Sequence, residues 1–350
     1  MTRSLALLGV IVMNYHGTLN ARNLGDGAWD RLFHPYTGVL STRFAATFVL
    51  MAGIGVSLMS SNRPRSPRRD VLPGVRMRLA RRGLFLYATG LALNHAWGGT
   101  IIFYYGAFLF IASLIVGLSD RTLVVLAGGA IVAAAGLNAW LASRPPGSRR
   151  IEWLDPREVH TVPDLIGRTF TGYTHPVLPW IAFLIAGMVI GRHLERFQHH
   201  VRSIALVAGI VTTGAYLIHH VVSALVADET GPDVFVSTEP FRRGLGYSVT
   251  TLGIAVTVFA VVSACVERFA RTRWVQGLQR AGQMTLSAYL LHVIVYYALF
   301  RWWDVVGSDG LATALIVSTT LWVAVVLASS WWRRHIGLGP AERLYRVIGG

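Results

Sequence analysis

Ten stretches of this chain are apolar and close to the length that crosses a lipid bilayer. A membrane-spanning helix needs roughly 20 mostly apolar residues. The stretches cover residues 2–17, 39–61, 83–97, 100–119, 122–143, 175–192, 203–227, 244–266, 284–303 and 312–332. The third is short and only Gly98-Gly99 separates it from the fourth, so these two are compatible with either two crossings or one tight re-entrant pair. We predict an all-α, polytopic membrane helical bundle with about ten spans, nine to eleven being allowed.

The basic residues predict how the bundle is oriented. The chain has no lysine, and 21 of its 32 arginines fall in the segments that are cytoplasmic if the N-terminus is cytoplasmic. Cytoplasmic loops of membrane proteins carry such an excess, so we expect both termini in the cytosol of a bacterial-type cytoplasmic membrane. The net charge of +15 follows from this topology and from contact with anionic lipid, and no nucleic-acid partner is expected.

Several other classes of protein are disfavoured. Met13-Asn14-Tyr15-His16 follows the first apolar run where a signal peptide would have a small-residue cleavage site, so residues 2–17 read as a retained helix. The single cysteine, Cys265, cannot form an intramolecular disulfide. HExxH and CxxC spacings do not occur, so no metal site is predicted. The sequence shows no convincing internal repeat, which leaves an inverted-repeat transporter without support.

The first group of polar residues lies where spans 1 and 2 meet the outer side. Asn14 and His16 end the first apolar stretch, His34 precedes the second, and Arg43 lies at its outer end. If the two spans are antiparallel neighbours, an amide, an imidazole and a guanidinium share one depth, where they could activate a carbonyl group. The alternative is that Asn14 and His16 cap the helix end and that His34 is an ordinary loop histidine.

A second group is scattered within the later spans at the same predicted depth. Asn94 and His95 end span 3, and His175 and Trp180 lie at the start of span 6. Polar groups in the hydrocarbon are costly and usually have a partner or a function. We interpret these four as substrate-binding candidates together with His16 and Arg43, against the alternative of hydrogen bonds between packed helices.

Several ordered blocks resemble known families. The stretches are Arg3-Ser-Leu-Ala-Leu-Leu-Gly-Val-Ile-Val-Met-Asn14; His34, Gly38 and Thr42 followed by Phe48-Val-Leu-Met-Ala-Gly53; and His175-Pro-Val-Leu-Pro-Trp180 through Gly191-Arg192. They are similar to the heparan-alpha-glucosaminide N-acetyltransferase catalytic domain family. The later blocks Gly282–His292 and Gly339–Tyr345 resemble the YeiB-like bacterial membrane proteins. We therefore predict one acyltransferase-like domain over 1–350, with catalytic-type motifs in 1–192 and YeiB-like helices in 203–350.

The resemblance implies a transmembrane acyltransferase that passes acetyl from cytosolic acetyl-CoA to an acceptor on the far side. The family's functional Asn and His fall on Asn14 and His34. His34 would take the acceptor's proton or carry the acyl group, and Asn14 would hold the thioester carbonyl or orient His34. Arg81, Arg82 and Arg192 would bind the CoA phosphates, since guanidinium groups suit phosphate; the alternative is that they only anchor the cytoplasmic face.

The predicted activity is acetyl or acyl transfer to an amine or hydroxyl of an extracytoplasmic sugar or glycoconjugate. The alternative is a non-enzymatic permease or exporter of a small solute that uses the same polar residues as its binding site. The basic cytoplasmic face beside span 3 favours the enzyme, because an acyl-CoA enzyme needs it and a transporter does not. The expected partners are the lipid bilayer, acetyl-CoA and the acceptor, and a homo-oligomer is compatible with the sequence.

Overall fold

The chain folds into helices joined by turns and loops. The computed structural model describes residues 1–19, 25, 27–61, 68–156, 158–225, 233–304, 306–307 and 310–350. Its α-helices are α1 (Thr2–Leu19), α2 (Ala28–Leu32), α3 (Arg43–Ser61), α4 (Arg68–Ala96), α5 (Ile101–Ile115), α6 (Asp120–Ala142), α7 (Val162–Phe170), α8 (Val177–Arg192), α9 (Leu194–His199), α10 (Val201–Leu225), α11 (Asp233–Val236), α12 (Leu245–Phe269), α13 (Arg273–Ala281), α14 (Thr285–Tyr297), α15 (Gly310–His335) and α16 (Pro340–Gly349). No β-strand occurs in these residues, and the all-α prediction is confirmed.

Each predicted apolar stretch overlaps a helix, but fewer than ten of the helices are long and apolar enough to cross a membrane. In the described part of the chain, α3, α6, α10, α12 and α15 meet that requirement. A sixth candidate is the pair formed by α13 and the apolar helix 285–302, which is bent by 78°. The chain is therefore a helical membrane protein, while ten crossings and cytoplasmic termini remain predictions. The basic loop predicted at 62–82 falls partly outside the described residues.

The third predicted span is longer than the sequence indicated. Instead of residues 83–97, α4 covers 29 residues and forms an antiparallel hairpin with α5. Glycines allow the two backbones to touch: a Cβ on Gly90 would lie 2.2 Å from the Phe103 nitrogen, and one on Gly106 would lie 2.2 Å from the Tyr87 nitrogen. The Thr100 hydroxyl accepts a hydrogen bond from the Ile102 N–H and caps the start of α5.

A second glycine contact joins α3 to α8. A Cβ on Gly53 would lie 1.9 Å from the Leu184 carbonyl oxygen, and one on Gly187 would lie 2.0 Å from the Leu50 carbonyl oxygen. Small residues at such crossings let membrane helices approach closely, and van der Waals packing then replaces the missing hydrophobic driving force. By contrast, only 6% of the apolar window in α10 is buried inside the protein. We therefore expect most of the surface of that helix to face lipid.

The first and last parts of the chain meet around α14. The Tyr15 hydroxyl of α1 donates to the His292 carbonyl oxygen at 2.7 Å. From α16, the Glu342 carboxylate accepts from the Leu286 N–H at 2.7 Å and from the Ser287 N–H at 3.1 Å, which caps the N-terminus of α14. The C-terminal helix is thereby held at the same end of the bundle as the start of α1.

Candidate functional site

One cavity, which we call the basic cavity, opens between α1, α3, α4, α5, α14 and α16. Its volume is about 420 Å³, and its lining includes the side chains of Arg3, Arg82 and Arg346. Arg82 lies over the Tyr345 ring at 4.9 Å, and Arg3 donates to the Met51 carbonyl oxygen at 3.2 Å. Glu342 also lines this cavity but is engaged as the cap of α14. The balance of charge favours an anionic ligand.

The wall of the basic cavity is otherwise mainly apolar. Its apolar residues are Val10, Phe48, Ala52, Val56, Met59, Leu79, Leu86, Ile101, Ile102, Leu109, Leu286 and Leu338. The Tyr105 hydroxyl also lies in this wall and is buried without a hydrogen-bond partner in the described structure. A buried hydroxyl without a partner is costly, so a polar ligand atom at this depth would be stabilised.

A second cavity, which we call the polar cavity, lies at the other end of α1. Its volume is about 540 Å³, and Asn14, Asp155, Tyr173, His175 and Tyr289 are among its lining residues. These groups come from α1, α14 and the segment between α6 and α8. The polar cavity can therefore present an amide, a carboxylate, an imidazole and two phenol hydroxyls to one ligand.

The two cavities meet at three shared residues, Val10, Ile101 and Tyr289. The Tyr289 hydroxyl accepts from the Ile101 N–H at 3.3 Å and lies 3.3 Å from the Thr100 hydroxyl oxygen. Its own proton remains available to Thr100 or to a ligand. Tyr289 therefore lies in the wall of both cavities.

Asn14 is held at this junction by His292. The Asn14 side-chain nitrogen lies 3.2 Å from Nε2 of the fully buried His292 ring. Nδ1 of that ring contacts the Tyr289 carbonyl oxygen, which can only accept a hydrogen bond, so Nδ1 carries the proton. Nε2 of the neutral ring then accepts from the Asn14 amide, and this fixes which end of the amide faces the ring.

His34 and His16 occupy the turn between α2 and α3 and the end of α1. Nδ1 of His34 accepts from the Thr37 N–H at 3.0 Å and from the Tyr36 N–H at 3.3 Å, which closes the loop. Partial burial, helped by the charge of His16, lowers the pKa of His34. His16 is buried, and its Nδ1 donates to the Phe33 carbonyl oxygen at 2.9 Å. Neither imidazole is among the lining residues of the polar cavity, so the imidazole beside Asn14 is that of His292.

Three other predicted binding residues lie away from the two cavities. Arg43 is 1% exposed, donates to the Ser41 and Thr238 carbonyl oxygens at 3.0 and 2.7 Å, and stacks on Tyr247. Asn94 accepts from Arg168 at 2.7 Å, while His95 is exposed and bonds to its own helix.

His175 and Trp180 are in ring contact, but only His175 is a lining residue of the polar cavity. Their ring centroids lie 4.6 Å apart, and the ring centroid of Tyr104 lies 5.8 Å from that of His175. Nδ1 of His175 is buried without a hydrogen-bond partner among the described residues, and the side chain lines the polar cavity. Trp180 is fully buried. Within the described residues, no three His, Cys, Asp or Glu side chains come together as metal ligands.

The predicted CoA-binding arginines separate in space. Arg82 lines the basic cavity, whereas Arg81 is exposed and is not among its lining residues. Arg192 joins α8 to the α5–α6 turn, donating to Asp120 at 2.6 Å and to the Val116 and Leu118 carbonyl oxygens at 2.8 Å.

Five residues at the two cavities and their junction had no role predicted from the sequence, namely Arg3, Tyr289, His292, Tyr345 and Arg346. Three of them, Tyr289, His292 and Tyr345, lie in the C-terminal blocks that carry the resemblance to YeiB-like proteins. The cost of a histidine inside an apolar helix was the available signal for His292. Its partner could not be inferred, because 278 residues separate it from Asn14.

Comparison with known families finds two overlapping matches. The profile of the heparan-alpha-glucosaminide N-acetyltransferase catalytic domain matches residues 1–221. That of a family of proteins of unknown function, DUF418, matches residues 188–348. No curated protein matches the chain significantly. The resemblance found in the sequence is confirmed, and the junction combines Asn14 from the first match with Tyr289 and His292 from the second.

Proposed function

Since the chain belongs to the heparan-alpha-glucosaminide N-acetyltransferase catalytic domain family, we propose that it transfers an acetyl group from cytosolic acetyl-CoA to an amine or hydroxyl of an extracytoplasmic sugar or glycoconjugate. The observation that supports this proposal is the meeting of the basic and polar cavities at Tyr289. The enzyme would lie in a bacterial cytoplasmic membrane with the basic cavity facing the cytosol.

The basic cavity suits the donor. Arg3, Arg82 and Arg346 would bind the phosphates of CoA, because guanidinium groups form paired, charge-assisted hydrogen bonds with phosphate. Arg3 and Asn14 lie on one helix about 16 Å apart at 1.5 Å per residue, a distance that the arm between the phosphates and the thioester can bridge. The Tyr105 hydroxyl would meet a polar atom of that arm.

The junction suits the transfer step. The acceptor's nitrogen or oxygen attacks the thioester carbonyl carbon, the new C–N or C–O bond forms, and the C–S bond breaks to release CoA as a thiolate. The Tyr289 hydroxyl would donate to the developing oxyanion. The imidazole of His175, a lining residue of the polar cavity, would take the acceptor's proton, while Asn14, held by His292, would orient the acceptor.

An activity assay can distinguish His175 from His34, the residue to which the resemblance gives the proton-accepting role. Purified protein is assayed for CoA thiol release and acetyl transfer to glucosamine. We expect Asn14→Ala, Tyr289→Phe and His175→Ala each to lower kcat by about ten-fold or more, as removal of one oxyanion donor or base does. His95→Ala, an exposed matched control, should leave kcat unchanged.

The outcome for His34→Ala decides between the two imidazoles. A loss of kcat in His34→Ala with normal turnover in His175→Ala would return the proton-accepting role to His34. Flux of the sugar into liposomes without CoA release would instead establish the permease.

A further inference from the structure

A third cavity, the arginine cavity, adjoins the polar cavity. It has a volume of about 300 Å³, and its charged lining residues are Arg149, Arg150, Arg243 and Asp155. Three arginines and one aspartate therefore line this cavity. The Asp155 carboxylate is itself engaged, since it accepts from the Tyr173 N–H at 2.5 Å.

The three arginines interact with backbone carbonyls rather than with acidic side chains. Arg149 donates to the Arg144 carbonyl oxygen at 3.2 Å, and Arg150 donates to that of Asp155 at 3.5 Å. Arg243 donates to the Thr171 carbonyl oxygen at 2.7 Å and to that of Tyr173. None of the ion pairs within the described residues includes these three side chains.

Arg243 has the most costly environment of the three. It is only 8% exposed, and its Nε is buried without a hydrogen-bond partner in the described structure. Burial lowers the pKa of this guanidinium, and the nearby Asp155 carboxylate opposes that shift. Three arginines share the single Asp155 carboxylate in this cavity. Since buried charge that is incompletely compensated is destabilising, an anion in the arginine cavity would be stabilised.

We propose that the arginine cavity binds an oxyanion, most simply a phosphate group, carried by the acceptor. This inference rests on the proposed function. The arginine and polar cavities share Asp155, Tyr173 and Phe241. An acceptor held by its phosphate at the arginines would extend past Tyr173 and place its amine or hydroxyl beside Asn14 and Tyr289.

The test compares glucosamine with glucosamine 6-phosphate on the full-length protein, by calorimetric binding without donor and by KM with acetyl-CoA. We expect the phosphorylated sugar to bind at least ten-fold more tightly. In Arg149→Gln/Arg150→Gln this preference should fall by about ten-fold. Arg144→Gln, on the same loop but outside the cavity lining, should retain it. Arg243 is left unchanged because it also holds the Thr171 and Tyr173 carbonyls.

Equal affinity for the two sugars, or an undiminished preference in the double variant, would overturn the oxyanion site. If the unsubstituted protein still releases CoA after either outcome, the proposed acyl transfer stands. Tight phosphate-dependent binding without CoA release would overturn acyl transfer, while the oxyanion site would stand.

A second titration, in phosphatidylcholine nanodiscs with and without phosphatidic acid, identifies the source of the phosphate. Competition by phosphatidic acid assigns the phosphate to a lipid headgroup, and no competition assigns it to a water-borne acceptor.

Discussion

At the scale of single residues, the contact between Asn14 and His292 ties the two ends of the chain to one junction. The ring of His292 is enclosed by Tyr15, Trp97 and Tyr289, with ring centroids 6.0, 5.5 and 4.6 Å away. A side chain so enclosed has one orientation, and its neutral tautomer is set by the Tyr289 carbonyl. We therefore expect His292 to act as a positioning residue for Asn14.

A double-mutant cycle tests this coupling. We expect Asn14→Ala and His292→Ala each to lower kcat about ten-fold or more, and the double variant to be no more than about three-fold worse than the weaker single variant, because groups that act as a unit are not additive. Thermal unfolding is measured in parallel. Independent effects on kcat, or decreases in kcat that only follow decreases in stability, would contradict a positioning role.

His34 makes a pH prediction for stability. Burial lowers its pKa in the folded protein below the ordinary value of 6.5, so the unfolded chain binds the proton more readily. Its contribution to stability is present above pH 6.5 and is lost as the pH falls towards the folded pKa. We expect the unfolding temperature to fall between pH 7 and pH 5, and His34→Asn to reduce that slope. An unchanged slope in the variant would exclude His34 as a source of it.

At the scale of secondary structure elements, glycines set how closely the helices around the cavities approach. Gly53 and Gly187 bring α3 and α8 into backbone contact, while Gly90 and Gly106 do the same for α4 and α5. Helices α3, α4 and α5 all supply lining residues of the basic cavity. The width of that cavity therefore depends on these contacts.

Replacing one of these glycines should separate its helices. In Gly53→Ala the new Cβ would lie 1.9 Å from a backbone oxygen, and overpacking of this kind costs about 1–3 kcal/mol. We expect a lower unfolding temperature and a higher KM for acetyl-CoA. The matched control is Gly128→Ala in α6, where no atom lies within 4 Å and helix propensity predicts a gain of up to about 1 kcal/mol. Equal changes in unfolding temperature and in KM in the two variants would contradict a role of Gly53 in close helix packing.

At the scale of the whole molecule, the basic and polar cavities lie at opposite ends of α1, and acyl transfer across a membrane requires them to face opposite compartments. Segments predicted as cytoplasmic supply Arg3, Arg82 and Arg346 to one cavity, and predicted outer segments supply Tyr36 and Tyr173 to the other. This grouping agrees with the arginine distribution, although the side that each cavity faces is still a prediction.

Labelling with a membrane-impermeant maleimide measures the orientation. In a Cys265→Ala background, we expect Thr37→Cys to react in intact cells and Leu344→Cys to react only after permeabilisation, since both positions are exposed and the positive-inside rule places the C-terminus in the cytosol. The reverse pattern would place the basic cavity outside and would exclude cytosolic acetyl-CoA as its ligand.

The sequence alone determined the class of this protein, because hydropathy, arginine placement and ordered motif blocks are properties of local stretches of chain. The all-α membrane class and the family followed from such local signals, and so did the choice of Asn14 and Arg82 as candidate site residues. The partner of Asn14, the junction at Tyr289 and the arginine cavity were decided only by tertiary structure. Each joins residues far apart in the chain, whose proximity depends on how glycine contacts and buried hydrogen bonds set the helices against one another.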